Sequence, residues 1–299
     1  MSIQVLPSVQ PTKRSARRRH YLMCPPTHFA VRYAINPWMN PSVSVDSARA
    51  LAQWTHLVEV YRSHGHRVEL LEPVPGLPDM VYAANGATVV DGRVLPASFA
   101  TGQRQAEAGY HQAWHLRHGS RYRQTRSGAP QAVNEAEGDF AVLSDRVLAG
   151  YGFRTSRAAH RELAALSGRE VISLELVDPR FYHLDVALTV LDDVADHIAY
   201  YPPAFSELSQ RWLAEQFPDA VIADDLDAAV LGLNCVSDGL HVFVPAGAGH
   251  LMAELTQAGY QCLPIDLSEL LLGGGSVKCC TQELRPAPKT SRITKPSQP

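Results

Sequence analysis

Cysteine is scarce in this 299-residue chain, and none of its five (Cys24, Cys235, Cys262, Cys279, Cys280) stands in a C-x-x-C pair. An odd count without that spacing excludes a disulfide framework and a cysteine-rich zinc site. Cys279 and Cys280 are neighbours, and bridging them would need strained geometry; free thiols are expected. Long apolar runs are missing, which excludes a membrane-spanning helix. The N-terminus lacks the apolar core of a secretory signal, so a cytoplasmic location is expected. Charge bias is missing too: 27 Lys and Arg against 30 Asp and Glu leave a net charge of -3. That balance gives no reason to expect nucleic acid or an acidic membrane as a partner. What is present, 45% hydrophobic and 19% charged residues, describes an ordinary globular protein able to bury a large core.

Residues 1–18 are polar, contain proline and carry most of the basic run Lys13 to Arg19; they read as a solvated, disordered arm. Residues 286–299, rich in Pro, Ser, Lys and Thr, read as a loose tail. No composition break divides 19–285, which reads as a single domain.

Within it an order of elements recurs. Ala87–Val90 and Arg93–Pro96 flank Asp91-Gly92, a hairpin signal, before a helical pattern, Arg104 to Leu116. Phe140–Leu143 and Val147–Gly150 lead to a helix, Ser156 to Leu166, and a strand, Glu170–Leu176. Val186–Leu191 and His197–Tyr200 lead to a helix, Ala204 to Gln216, and a strand, Ala220–Ala223. Ala229–Leu233 and Leu240–Val244 lead to a helix, Gly247 to Ala258, and a strand, Cys262–Ile265. A fifth set spans the chain ends: a strand near Cys279, then Tyr21–Cys24, a helix Val45–Ser63 with Ala48, Leu51, Leu57, Val58 and Tyr61 on its core face, and Arg67–Leu71. Hairpin, helix and strand repeating about every fifty residues is the pattern of a ring or array of similar units. A doubly wound sheet needs strict strand–helix alternation without the hairpins and fits less well.

The segment Gly273-Gly274-Gly275-Ser276-Val277-Lys278-Cys279-Cys280-Thr281 places a thiol after a glycine-rich bend. Such a bend lets backbone approach a ligand closely, and a cysteine beyond it can act as a nucleophile; a turn followed by two buried cysteines is the other reading. His183-Leu184-Asp185 opens the strand pattern Val186–Leu191, where an imidazole with an acid two residues on suits general acid/base work or is a satisfied edge histidine. His64-Gly65-His66 has metal-like spacing but no nearby cysteine or acid pattern and reads as surface; no metal is expected. The acids of Glu135-Ala136-Glu137-Gly138-Asp139 can bind a cation or position a base, or form a plain acidic loop. Arg104 and Arg154 stand near strand ends, where they suit carboxylate recognition or lie on the surface. Asn36 and Asn85 stand beside Pro or Gly in apolar strings, and a buried Asn either organises a turn or faces a polar ligand.

In their order along the chain these strings resemble the guanidine-modifying superfamily: P-D-x-V-[FY]-x-x-N at Pro78–Asn85, the acidic turn at 135–139, G-x-R-T at Gly152–Thr155, H-x-D at His183–Asp185 and G-G-G-S-x-K-C ending at Cys279. The superfamily includes dimethylargininases, arginine and agmatine deiminases and amidinotransferases, and the resemblance covers about Tyr21 to Leu284. It implies a five-bladed α/β propeller built of pseudo-fivefold hairpin–helix–strand modules. It implies a cysteine-dependent hydrolase of the guanidinium C–N bond of arginine or methylated arginine, without cofactor, passing through an S-alkylthiouronium intermediate. It further implies Cys279 as nucleophile, His183 as general acid/base and Glu135 as second acid, with Glu137 as its rival. Arg104 and Arg154 would hold the substrate carboxylate, Asp185 the guanidinium, and Asp139, Asn36 and Asn85 would complete the site. Cys280 is expected to be a packing residue. Ala136 departs from the Gly of many relatives. Asn85 departs from a usual Asp and, with Ile35-Asn36-Pro37-Trp38-Met39, resembles the arginine dihydrolase branch, in which citrulline goes on to ornithine. An amidinotransferase and a silent arginine-binding relative are the alternatives to this hydrolase that the resemblance leaves open, and it also implies a homodimer.

Overall fold

The computed structural model describes residues 14–119 and 129–287. Strand β1 (His20–Met23), helix α1 (Ser47–Ser63) and β2 (Arg67–Leu70) come first, then the hairpin β3 (Ala87–Val90) and β4 (Arg93–Pro96) and helix α2 (Glu107–His118). The pair β5 (Phe140–Val142) and β6 (Arg146–Tyr151) leads to α3 (Arg157–Ser167) and β7 (Glu170–Glu175). The pair β8 (Leu188–Asp192) and β9 (His197–Tyr200) leads to α4 (Glu207–Gln216), β10 (Val221–Ile222) and the short α5 (Asp225–Ala228). Last come β11 (Val236–Ser237), β12 (His241–Pro245), α6 (Gly249–Gln257), β13 (Gln261–Ile265), the short α7 (Ser268–Leu271) and β14 (Gln282–Glu283).

These strands form five small sheets, four of three strands and one of two. In β5-β6-β7, β8-β9-β10 and β11-β12-β13 the first pair is antiparallel and the strand after the helix returns parallel. The chain ends build the remaining three-stranded sheet, with β1 antiparallel to β14 and parallel to β2. The fold is thus mixed α/β.

Local chemistry accounts for the elements. At the β3–β4 hairpin Asp91 and Gly92 have φ of 50° and 78°, the left-handed pair that a two-residue Asp-Gly turn uses. Asp46 caps α1 through the Arg49 amide, and Ser156 caps α3 through the Ala159 amide, each satisfying an otherwise orphaned N–H. Helix α1 buries Ala50, Gln53, Trp54, Leu57, Val58 and Tyr61. Leu57, Val58 and Tyr61 of the expected face are buried, whereas Ala48 and Leu51 are exposed, Leu51 at 44%; in the first half of the helix Ala50, Gln53 and Trp54 take the core side.

Three expected strands differ. Residues 229–233 form the turn after α5, where Leu231 has a φ of 53°, and the strand of that set is β11. The C-terminal strand begins at Gln282, not Cys279, which lies in a turn. His183 precedes a short 3-10 turn, Leu184–Val186, so its strand starts only at Leu188. Most of the 1–18 arm and of the 286–299 tail lies outside the described residues. Arg14, Arg17 and Arg19 are seated on the body: Arg14 lies over the Tyr260 ring, Arg17 pairs with Asp192 and Asp193, and Arg19 pairs with Asp193 and Glu283. No helix among the described residues is long and apolar enough to cross a membrane.

A buried ion cluster ties the C-terminal segment to the middle of the chain. The Glu137 carboxylate accepts from Lys278 Nζ at 2.6 Å, Arg285 at 2.5 Å and the Glu283 amide at 3.1 Å. Removing Glu137 leaves Lys278, itself half-buried, without its carboxylate, while Arg285 keeps Glu283. Glu137→Leu is expected to cost about 3 kcal/mol of stability, read as a lower urea midpoint with an unchanged slope.

Candidate active site

Three parts of the chain meet around Cys279. The first is the glycine-rich bend itself. Gly274 has a φ of +86°, and a Cβ there would lie 2.7 Å from the Asn36 amide, so glycine is needed on both counts. The Cys279 carbonyl accepts from the Ala84 amide at 3.0 Å, which fastens the bend to the Pro78–Asn85 string. Cys279 is 2% exposed. Its Sγ lies 3.3 Å from Asp185 Oδ2, to which it donates, and accepts from Asn234 Nδ2 at 3.2 Å. Burial, Asp185 and Cys280 push the thiol well above its ordinary pKa, so the resting sulfur is protonated.

The second part is the acidic turn. Ala136 has a φ of 51°, a left-handed conformation uncommon for a residue with a Cβ. Glu135 and Glu137 thereby go to different partners. Glu135, fully buried, accepts from His183 Nε2 at 2.8 Å, from Arg154 Nη1 at 3.1 Å and from the Ala100 amide at 3.2 Å. Burial alone would raise the Glu135 carboxyl; the His183 hydrogen bond and the charges of His183, Arg154 and Arg104 outweigh it and hold the group at about 2. Glu137 faces Lys278 and Arg285 instead. Next to them Gly138 leaves room for both Asn85 and His183, since a Cβ there would lie 2.4 Å from Asn85 Nδ2 and 3.0 Å from His183 Nδ1. Nδ1 of His183 is buried and has no hydrogen-bond partner.

The third part is a small cavity with Cys279 in its wall, lined also by Asn36, Asp79, Asn85, Arg104 and Arg154. Arg154 reaches Glu135 and the Ile35 carbonyl and lies over the Tyr182 ring. Arg104 is held by Glu107 at 2.8 Å and by Asn85 Oδ1 at 2.8 Å. Asn85 donates its Nδ2 to the Glu135 carbonyl at 3.3 Å, and Asn36 donates to the Gly273 carbonyl at 3.1 Å. Asp79 accepts from the Tyr33 hydroxyl at 2.7 Å, while its buried Oδ1 has no partner.

Of the expected residues, Cys279, Asn36, Asn85, Arg104 and Arg154 line one cavity, hydrogen bonds join Glu135 to His183, Arg154 and Asn85, and Asp185 lies against the Cys279 sulfur. Asp139 stands apart from the cavity: its Oδ1 accepts from the Leu184 amide at 3.1 Å, behind His183, because Gly150 leaves that space open. Burial pushes its carboxyl up to about 6. Asp185 contacts the sulfur but lines a second cavity, on the side of Lys278 and Arg285. Two residues escaped the sequence reading. Asp79 stood inside a quoted string, Pro78–Asn85, and an acid in an apolar run was its signal. Asn234 carried none, being one amide in an unremarked loop.

A fold of small α/β sheets with a buried thiol against an acid, in the wall of a cavity lined by two arginines, and a hydrogen-bonded imidazole–carboxylate pair defines a candidate cysteine-dependent enzyme of cationic nitrogen substrates. No family model matches the chain. Over 276 residues it is 52% identical to the N(G),N(G)-dimethylarginine dimethylaminohydrolase of Mycobacterium tuberculosis, covering 92% of this chain and 89% of that protein. It is 35% identical to the bifunctional arginine dihydrolase/ornithine cyclodeaminase ArgZ of Synechocystis, covering 87% of this chain and 37% of that protein. The solved N-terminal domain of ArgZ, a cyanobacterial arginine dihydrolase bound to its substrate, superposes with a TM-score of 0.83 at 33% identity, covering 89% of this chain and 98% of that one. The chain belongs to the dimethylargininase and arginine dihydrolase family of guanidine-modifying enzymes.

Asp185 gives a stability test. Burial pushes its carboxyl up to about 7, so the folded state holds a proton that the unfolded state, near the ordinary value, has released. Stability is therefore lost as pH rises from about 4 through 7. Asp185→Asn is expected to raise the thermal midpoint at pH 8 by a few degrees and to leave it nearly unchanged at pH 4, in pH-resolved calorimetry.

Proposed function

We propose that this chain is a hydrolase of the guanidinium C–N bond of arginine or Nω-methylated arginine. The observation that carries the reading is the buried Cys279 sulfur in the wall of a cavity lined by Arg104 and Arg154, with Asp185 Oδ2 3.3 Å from that sulfur. Substrate carboxylate binds Arg154 and Arg104, and the α-ammonium meets the free oxygen of Asp79. The guanidinium replaces the thiol at Asp185, whose carboxyl gives up its proton to solvent as the cation arrives, and approaches Glu135, so charge-assisted hydrogen bonds align its carbon with the sulfur. Positive charge beside Cys279 favours thiolate, the thiol proton passing to solvent.

The thiolate forms a C–S bond to the guanidinium carbon. The C–N bond breaks as His183, protonated beside Glu135, gives its proton to the departing amine. An S-alkylthiouronium remains. Neutral His183 takes a proton from water as its oxygen attacks the same carbon; the C–S bond breaks and the ureido product leaves. In this scheme Glu135 is the second acid and Glu137 belongs to the ion cluster.

Asn85 favours a further turnover. A neutral amide in this place, rather than a carboxylate, tolerates the uncharged ureido group, so citrulline itself is a substrate and ornithine a product. The five sheets, each led by a hairpin or by the β14–β1 pair, support closure into a five-bladed propeller formed by one catalytic domain over 19–285. A homodimer working in the cytoplasm completes the reading.

Mass spectrometry of products from arginine, dimethylarginine and citrulline tests it. Cys279→Ser is expected to lower turnover at least about a thousandfold with the fold retained in circular dichroism; full activity in that variant would remove the nucleophile. Ornithine from citrulline is expected in the native protein and reduced in Asn85→Asp, and its absence in the native protein would end the dihydrolase reading. If glycine or lysine added to the reaction acquires the amidino group, the enzyme is a transferase.

A further inference from the structure

Asn234 lies in the loop before β11 and is completely buried. Both polar atoms of its amide are spent around the nucleophile. Oδ1 accepts from the Ser276 amide at 3.0 Å and from the Cys279 amide at 3.1 Å. Nδ2 donates to the Asp185 carbonyl at 3.0 Å and to Cys279 Sγ at 3.2 Å. Its main-chain carbonyl accepts from the Lys278 amide at 3.0 Å. One residue thus holds three amides of the 276–279 bend, the sulfur and the backbone of the acid that faces it.

We propose that Asn234 is the positioning residue that fixes the Cys279 sulfur and favours its ionised form, an inference that rests on Cys279 being the nucleophile. The two halves of the amide do different work. The oxygen shapes the bend. The nitrogen supplies an N–H to sulfur, and such a hydrogen bond stabilises a thiolate more than a thiol, because the acceptor carries full charge. In the resting state the thiol donates to Asp185. When a cationic substrate takes over Asp185, the sulfur loses that acceptor and keeps the Asn234 donor. The proton then leaves to solvent and the S–H electron pair stays on sulfur. A lysine or arginine could stabilise thiolate in the same way, but its charge would repel the substrate cation beside it. A neutral amide donates without that penalty.

Asn234→Asp separates the two halves, since it keeps an oxygen for the Ser276 and Cys279 amides and replaces the donor with an acceptor. The readout is the pH dependence of iodoacetamide labelling at Cys279, located by peptide mass spectrometry, together with kcat and KM for arginine. The labelling midpoint is expected to rise by at least about one pH unit, about tenfold less thiolate at fixed pH. The kcat is expected to fall roughly a hundredfold with KM within about threefold. Asn234→Ser, whose side chain is too short to bridge bend and sulfur, is expected to move the midpoint in the same direction. An unmoved midpoint in either folded variant overturns the proposal whatever kcat does. Failure of both variants to fold overturns it as well, by making Asn234 a structural clamp. Labelling reads the thiol without any substrate, so an active Cys279→Ser enzyme would instead remove the nucleophile reading while leaving this result legible.

Discussion

Everything at the site depends on the pairing of the chain's two ends. Tyr21 lies opposite Glu283 and Leu22 opposite Gln282, and this short antiparallel contact stops the C-terminal segment at a fixed height. Cys279, three residues before β14, then reaches the Ala84 amide on one side and Asp185 on the other. The pairing itself is too short to stand alone, since two residue pairs offer little area. The Glu137–Lys278–Arg285 cluster and the Arg19 contacts to Asp193 and Glu283 reinforce it from the opposite side, where charges excluded from water are strongly coupled.

The neighbourhood is electrostatically costly. Glu135, Asp185, Asp139 and Asp79 are all buried, yet they are not in the same condition. Glu135 is surrounded by His183 and Arg154 and stays ionised, whereas Asp185 faces a thiol and holds its proton to about pH 7. Two acids of similar burial thus differ because of the partners that each is given. Unequal acids of this kind are what a site needs if one carboxylate is to orient an imidazole while another waits for a cation. Unpartnered atoms on Asp79, Asp185 and His183 mark where that cost has not been offset inside the protein.

Much of this was legible beforehand, for reasons that differ by residue. The Asp91-Gly92 hairpin was readable because its chemistry is local: both residues adopt left-handed φ cheaply. Cys279, His183 and Glu135 were readable because they sit in strings whose order along the chain carries the resemblance. The strand expected at 229–233 failed because an apolar run does not distinguish a strand from a buried turn. The core face of α1 was right at Leu57, Val58 and Tyr61 and wrong at Ala48 and Leu51, because helical spacing admits either Leu51 or its neighbour Ala50 and tertiary packing decides between them. Asn234 was illegible altogether. Its role comes from five contacts made across more than forty residues of sequence, and no neighbour announces them.

The left-handed turn at Ala136 separates two compartments. In an extended strand, residues two apart share a face, and Glu135 and Glu137 would crowd one another. A single inversion of backbone hand at the residue between them sends one carboxylate toward the imidazole and the other into the cation cluster below. The imidazole side and the cation-cluster side of this turn can therefore hold like charges two residues apart, insulated from each other by a change of backbone hand rather than by distance along the chain.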